Sequence, residues 1–396
     1  MANANRNAVV GQSGGPTSVI NATLAGIIKG AYDSGCIDLI YGMKNGIDGF
    51  IKEDLISLDF LNDKDLSLLS LTPSGALGSC RYKIPNDKSL YEKIFTVFEK
   101  YRIGYFFYIG GNDSMDTVAK LSAYATENGI DVKIVGVPKT VDNDLVLTDH
   151  TPGFGSAAKY VATATLEIAR DILSYNKPCV TLIEVMGRDT GWLTCAAALP
   201  MDICGVGCDL IYLPEANFST EAFLSDIDKA LSQKNNVLCA VSEGVALVKD
   251  NTRGTDQFGH IFLNGTGKYL ESLVRRSMGV KSRGIELSLM QRCSGHLASK
   301  TDVEESYKIG YEAVKLAQSG MSGITLGFER EKGEYRVDIT YSLAKSVANR
   351  TKYLPKSFIN ITKNGVTNKC IEYLYPLIQG ETDVKYEKGL PLHYRF

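Results

Sequence analysis

Two polar stretches, each placed directly after an apolar run, constrain this chain more than any other feature. Tyr105-Phe106-Phe107 leads into Tyr108-Ile109-Gly110-Gly111-Asn112-Asp113-Ser114, and Ile134-Val135-Gly136-Val137 leads into Pro138-Lys139-Thr140-Val141-Asp142-Asn143-Asp144. Apolar runs rich in β-branched or aromatic residues read as strands buried on both faces. Between them Val118, Leu121 and Ala125 share one face of a helix. Strand, helix and strand within about 30 residues make a βαβ unit. Both polar stretches then fall at the carboxyl ends of neighbouring parallel strands, where open α/β sheets bind ligands. The expected fold class is α/β.

The same pattern recurs along the chain. Ala8-Val9-Val10 is a strand running into Gly11-Gln12-Ser13-Gly14-Gly15-Pro16-Thr17 and then into a helix carrying Ile20, Leu24, Ile27 and Ala31. A strand, a glycine turn and a helix N-terminus can bind an anion through free backbone N–H groups; a tight turn without a ligand reads equally well. Asp38 to Gly42 is a further strand, and Gly78-Ser79-Cys80-Arg81 ends a loop in a cation. Gly153-Phe154-Gly155-Ser156-Ala157-Ala158 fits a relaxed dinucleotide fingerprint but follows His150-Thr151-Pro152. No strand precedes it directly, so its glycines open a long helix instead, and a nicotinamide oxidoreductase is disfavoured. Val180–Val185, Leu210–Leu213 and Val237–Val241 are strands of a second α/β lobe, ending in Met186-Gly187-Arg188 and Ser242-Glu243-Gly244. Met186 could also fill a core gap and Glu243 could cap a helix. Arg275, Arg276, Lys281 and Arg283 form a basic stretch, of which Arg275 and Arg276 read as a solvated face. Residues 303–318 read as a surface helix. Residues 346–396 read as a C-terminal extension docked by Tyr373, Tyr375, Leu377 and Ile378.

A formal net charge of −2 gives no bulk basic character for nucleic acid. No apolar run is long enough to cross a bilayer, so no membrane partner is expected. Nine cysteines lack the spacing of a disulfide framework. With no secretory signal in Met1 to Arg6, they read as free thiols in a reducing cytoplasm. Cys204 and Cys208 lack zinc-knuckle spacing, and the histidines at 150, 260, 296 and 393 are scattered, with structural or surface roles.

Phosphoryl transfer needs phosphate cradling, a divalent metal, cationic clamps and a base for the attacking hydroxyl. Gly14, Gly15, Gly110 and Gly111 can bring backbone close to phosphate, while Arg81, Lys139 and Arg188 can neutralise charge. Asp113 and Asp144 suit Mg²⁺, a hard cation that takes oxygen ligands. Asp142 is a candidate general base. The second polar stretch could instead be an Asp/Asn turn with self-satisfied side chains, a reading weakened by its place one βαβ unit after Gly110–Ser114.

Gly110–Ser114, Pro138–Asp144, Met186-Gly187-Arg188, Ser242-Glu243-Gly244 and Gln291-Arg292, in this order, resemble the phosphofructokinase family. The segment Ile371-Glu372-Tyr373 through Pro376-Leu377-Ile378-Gln379-Gly380-Glu381 looks like its bacterial pyrophosphate-dependent branch. The resemblance implies two doubly wound Rossmann-like lobes with the active site in the cleft between them. It implies a donor lobe from residues 1–152 plus about 293–345, a sugar-phosphate lobe from 153–292, and a homodimer or homotetramer. By the same resemblance Asp142 takes the proton from the 1-hydroxyl of fructose 6-phosphate, and that oxygen attacks the terminal phosphoryl group of diphosphate. The products are fructose 1,6-bisphosphate and phosphate, in a reversible glycolytic reaction. Thr140 aligns the reacting groups, and Met186, Gly187 and Arg188 line the substrate site. Glu243 accepts sugar hydroxyls, and Arg283 and Arg292 grip the 6-phosphate, one reaching from a neighbouring subunit. Gly15 and Arg81 hold donor phosphates.

ATP-using members carry glycine at the positions of Asp113 and Lys139. Those two residues fill the room of an α-phosphate and point to pyrophosphate with Mg²⁺. Asn112 stands where those members carry a metal-associated aspartate, so metal contact through Asn112, Asp113 and Asp144 is expected. Cys179 replaces a sugar-phosphate arginine, with Lys177 nearby as a substitute, and Leu289 replaces a histidine. Two rivals share the fold: a kinase acting mainly on sedoheptulose 7-phosphate, and a non-catalytic regulatory subunit. The presence of Asp142, Arg188 and Glu243 argues against the second.

Overall fold

The structure is a computed structural model that describes residues 6–245 and 265–396; Met1 to Asn5 and His260 lie outside the described residues. The chain opens with β1 (Arg6–Gln12), α1 (Ile20–Asp33), β2 (Ile37–Met43), α2 (Gly46–Ile51), β3 (Leu55–Ser57), α3 (Asp63–Ser70), α4 (Lys88–Lys100), β4 (Ile103–Gly110), α5 (Asn112–Glu127) and β5 (Lys133–Pro138). It continues with α6 (Phe154–Ile172), β6 (Cys179–Val185), α7 (Leu199–Cys204), β7 (Leu210–Tyr212), α8 (Thr220–Leu231), β8 (Asn236–Ser242), α9 (Thr266–Met278) and β9 (Lys281–Glu286). Then come α10 (Met290–Cys293), α11 (Lys300–Gln318), β10 (Ile324–Arg330), β11 (Val337–Leu343), α12 (Ala344–Val347) and, after irregular chain, α13 (Asn368–Leu374).

Among the described residues the order β11-β10-β5-β4-β1-β2-β3 forms a seven-stranded sheet, and β7-β8-β6-β9 forms a four-stranded one. β4 and β5 pair in parallel with Gly110 opposite Pro138, so the two polar stretches leave the sheet side by side. The chain winds one way through β1 and β2 and the other way through β4 and β5. The switch point therefore lies between β1 and β4, above which a doubly wound sheet opens a crevice. In the second sheet β6 has β8 on one side and β9 on the other, so a second switch point lies there. Both sheets are covered on both faces. Ile20, Leu24 and Ile27 of α1 pack with Ile309 and Ala313 of α11 on one side of the first sheet. Phe95 and Phe98 of α4 pack with Val118 and Leu121 of α5 on the other.

Several local expectations change. α1 begins at Ile20, so a turn separates Gly14 and Gly15 from the helix they were expected to open. The helix α11 is more than a surface element: Ile309, Gly310, Ala313, Val314 and Ala317 form its buried face. Its buried Asp302 accepts the N–H groups of Gly153 and Ser156 at 2.9 and 2.8 Å, capping α6 where Gly153 has no side chain to do so. In the C-terminal segment Leu374 and Leu377 are the buried anchors, whereas Tyr375 is half exposed.

His150 is buried where the first sheet passes into α6, with Nδ1 2.9 Å from Asp149 and Nε2 2.8 Å from Glu305. Burial alone would lower its pKa, but the hydrogen bonds from the two carboxylates outweigh it and raise the value. Arg330 and Tyr335 bond the same two carboxylates. A raised folded value gives stability that is complete below the unfolded pKa of about 6.5 and is lost as pH rises through the folded one. The Tm advantage of the wild type over His150→Gln is thus expected to shrink above about pH 6.5. Thermal melts of both proteins across that range check it, and an advantage that grows with pH would overturn it.

Candidate active site

A cavity of about 370 Å³ lies at the carboxyl ends of both sheets. From the first sheet it takes Gly14 and Gly15 after β1, Arg81, the first residues of α5, and Lys139, Thr140, Asp142 and Asp144 after β5. Met186, Gly187 and Arg188 after β6, together with Arg292 of α10, come from the other side.

The donor side is built on backbone. Gly14 has φ +75°, which other residues rarely adopt, and its N–H is held by the Cys80 carbonyl at 3.0 Å. α5 starts immediately after Gly111, and no side chain caps it. Its first N–H groups therefore end at the cavity wall. A Cβ on Gly15 would stand 2.7 Å from Arg292 Nη1, so this arginine reaches across the cleft to the glycine loop.

Lys139 is buried and donates to the Gly15 carbonyl at 2.6 Å, lying across that loop. Burial pushes its pKa down to about 7, against the pull of Asp142 and with the push of Arg292 and Arg81. Arg292 is likewise lowered by burial and by Arg81. Three cations gathered around a glycine loop, with Asp142 close to two of them, make a site suited to an anion.

The acid groups sit below them. Asp142 is half-buried in the cleft, and desolvation raises its pKa, while Arg188, Lys139 and Arg292 pull it back. Its N–H donates to Thr140 Oγ1 at 3.1 Å, so the threonine hydroxyl shapes the turn. Asp144 is pushed up to about 7 by burial and by the neighbouring Asp142 charge. Between them Asn143 has φ 54°, and Arg188 opposite has φ 50°, two non-glycine residues in the left-handed region. Such conformations concentrate at functional sites. Glu243 accepts the N–H groups of Gly187 and Arg188 at 3.2 and 3.0 Å and is raised to about 7, chiefly by burial. It thus holds the Met186–Arg188 turn from behind.

Asn112 lines the cavity, whereas Glu243 and Arg283 are not among the residues that line it. The Asn112 amide is consumed by backbone, donating to the Arg350 carbonyl at 2.6 Å and accepting from Asn349 N–H. It tethers the C-terminal segment at the cavity wall. Arg283 pairs with Thr181 across β6 and β9, toward the end of the sheet away from Met186. Its guanidinium lies 3.8 Å from Asp171 and over Tyr175, outside the cavity of its own chain. Cys179 begins β6 at that same far end, and Leu289 is exposed. Asp113 lines the cavity and pairs with Lys83 at 3.6 Å. Sequence reasoning missed Lys83, Asp189, Thr190, Asn349 and Thr351 as cavity residues. Lys83, next but one to Arg81, and Asp189, next to Arg188, carried a local signal; Asn349 and Thr351 carried none.

Residues 7–317 match the family profile described as Phosphofructokinase. The pyrophosphate--fructose 6-phosphate 1-phosphotransferase of Halomonas elongata is 40% identical, covering 98% of this chain and 95% of that protein. The enzyme of that name from Methylococcus capsulatus is 38% identical over 98% of this chain and 94% of its own length. The crystal structure of pyrophosphate-dependent phosphofructokinase from Nitrosospira multiformis superposes with a TM-score of 0.89 at 40% identity, covering 98% of this chain and 95% of that one. With a family profile matched over residues 7–317 and likeness to these relatives along nearly its whole length, this chain belongs to the phosphofructokinase family.

Proposed function

We propose that this chain is a pyrophosphate-dependent phosphofructokinase. It transfers the terminal phosphoryl group of diphosphate to the 1-hydroxyl of fructose 6-phosphate, giving fructose 1,6-bisphosphate and phosphate. The observation that carries this reading is Lys139, whose ammonium lies across the glycine loop with Asp142 beneath it. There it meets the charge of diphosphate while taking up the room that an α-phosphate would need.

Asp142 accepts the proton of the sugar hydroxyl, and the nearby Arg188 opposes the effect of burial on its charge. Arg81 and Lys139 bind the donor and spread the charge that moves to the departing phosphate, and Arg292, at the border of the glycine loop, grips the 6-phosphate of the sugar. Arg188 stabilises the group in flight, and Met186 and Gly187 border the sugar. Glu243 acts through the turn it holds and accepts sugar hydroxyls. Asp113 and Asp144 would hold Mg²⁺. Magnesium is commonly bound by one or two carboxylates plus substrate phosphates, and Asp144, raised by an adjacent carboxylate, favours a cation beside it. The ion would supply charge neutralisation on the diphosphate oxygens.

The reading extends to a reversible glycolytic step in the cytoplasm, carried out by a homodimer or homotetramer. No helix among the described residues is long and apolar enough to cross a membrane. Arg283, outside its own cavity, is free in direction to serve a neighbouring copy. The strands β10 and β11, which join the first sheet, support a discontinuous donor lobe of 1–152 plus about 293–345.

Assaying purified protein with Mg²⁺ and each donor tests the reading. Turnover with diphosphate and little with ATP is expected; strong ATP activity with none from diphosphate would sink it. Comparing kcat/KM for fructose 6-phosphate and sedoheptulose 7-phosphate checks the acceptor, with the former expected to be favoured.

A further inference from the structure

The segment from Asn349 to Leu354 touches the site on several sides. Asn349 and Arg350 hold the Asn112 amide at the head of α5. Lys352 N–H donates to the Asp144 carbonyl at 2.7 Å, and its own carbonyl accepts Trp192 Nε1 at 2.8 Å. Leu354 N–H donates to Glu215, whose carboxylate also accepts Gly191 N–H at 3.0 Å, just after the Met186–Arg188 turn.

The side chain of Lys352 does more than follow this path. Nζ donates to Asn143 Oδ1 at 3.1 Å, to the Thr148 carbonyl at 3.1 Å and to the Asp149 carbonyl at 2.8 Å. An ammonium has three donors, and each has found an acceptor. The other end of the Asn143 amide donates to Tyr373 Oη at 2.9 Å, and that hydroxyl donates to the Asp149 carbonyl at 2.8 Å. Asn143 is fully buried in the left-handed conformation, so its backbone needs holding. It is also the residue between Asp142 and Asp144. A turn of the peptide at Asn143 would swing both carboxylates.

We infer that Lys352 is a positioning residue: with Tyr373 it clamps Asn143 from both ends of its amide and so fixes the directions of the Asp142 and Asp144 carboxylates. With all three N–H groups directed at the loop, Lys352 acts through Asn143 and not on substrate. The inference rests on the phosphotransferase reading for its kinetic consequence. Misplacing a reacting group by about 1 Å can cost about 10²-fold in rate.

The test uses the full-length protein. Lys352→Met keeps the length of the side chain and removes the ammonium; Tyr373→Phe removes one hydroxyl. Steady-state kinetics with diphosphate, fructose 6-phosphate and Mg²⁺ are paired with amide hydrogen exchange. For Lys352→Met, kcat is expected to fall about 10- to 100-fold with both KM values within about threefold. Exchange should rise in residues 139–149 while β4 and β6 stay protected. Tyr373→Phe should shift both readouts the same way by less. A folded Lys352→Met protein with unchanged kcat, a loss confined to KM, or exchange raised throughout the molecule would overturn the inference. Should Lys352→Met not fold, the milder Tyr373→Phe decides by the same criteria. A wild type inactive with diphosphate would defeat the functional reading alone, and exchange in 139–149 would then decide on the clamp.

Discussion

Asp142→Asn is expected to lower kcat for diphosphate-driven transfer by about 10²- to 10⁴-fold, the range associated with a positioned general base. The amide matches the carboxylate in shape but cannot take the sugar proton. Folding should be untouched, because the hydrogen bonds that shape this turn run through backbone: Asp142 N–H to Thr140 Oγ1, and Thr190 Oγ1 to the Asp142 carbonyl at 3.4 Å. Burial already disfavours the charged form of Asp142, so removing that charge carries no penalty in desolvation. The variant should melt within about 1 °C of wild type, a shift worth less than about 1 kcal/mol in a chain of this size. Diphosphate affinity should hold or tighten, since Arg188, Lys139 and Arg292 lose a competing anion. Steady-state kinetics with a melting curve check all three statements. Near-normal turnover would remove Asp142 as the base, and a collapsed Tm would make the kinetic loss uninformative about chemistry.

The parts of this site that were legible in the sequence are those that a parallel sheet makes local. Strands buried on both faces are written as short apolar runs, as in Tyr105–Ile109 and Val180–Val185, and the residues that follow them stand at the ligand end. Gly110 to Asp113, Lys139 to Asp144 and Met186 to Arg188 could therefore be placed before any coordinates. The strand β9 escaped because Lys281, Arg283 and Glu286 give it a charged surface, which reads as a solvated basic stretch. The reach of Arg283 was illegible for a related reason: a charge tells which residue type is present, but not which end of the strand carries it. Asn112 is placed by resemblance alone, and the partners of its amide, Asn349 and Arg350, come from the far end of the chain. Lys352 and Tyr373 follow the same logic, since contacts to loop carbonyls leave no local pattern to find.

Replacing Asp113 and Lys139 together by glycine is expected to separate donor choice from transfer chemistry. Lys139 brings a cation against the glycine loop, and losing one such group from a phosphate site should lower kcat/KM for diphosphate by about 10²- to 10³-fold. The Asp113 carboxylate acts in the other direction. It lines the cavity at the first turn of α5, and two unit charges about 4 Å apart at an effective dielectric of about 20 repel by about 4 kcal/mol. That is enough to exclude an α-phosphate from a site whose cations already face the donor. Asp113→Gly removes the repulsion and releases Lys83 from its 3.6 Å pairing, leaving that cation available to a third phosphate. Lys139→Gly opens the volume over Gly14 and Gly15, where Nζ now stands 3.4 Å from the position of a Gly14 Cβ. Removing the buried ammonium relieves its desolvation, which offsets part of the cost of placing glycine at both positions. Lys139→Gly alone should therefore account for most of the loss with diphosphate, Asp113→Gly alone should cost a smaller part of it by leaving Asp144 as the remaining carboxylate for Mg²⁺, and only the double variant should turn over ATP. Measuring kcat/KM with both donors for the wild type, the two single variants and the double variant separates these effects. A double variant that keeps wild-type diphosphate kinetics and ignores ATP would move donor selection away from these two residues. Adding Asp142→Asn to the double variant should abolish turnover with either donor, because the proton of the sugar hydroxyl needs the same acceptor whichever phosphate chain delivers the phosphoryl group.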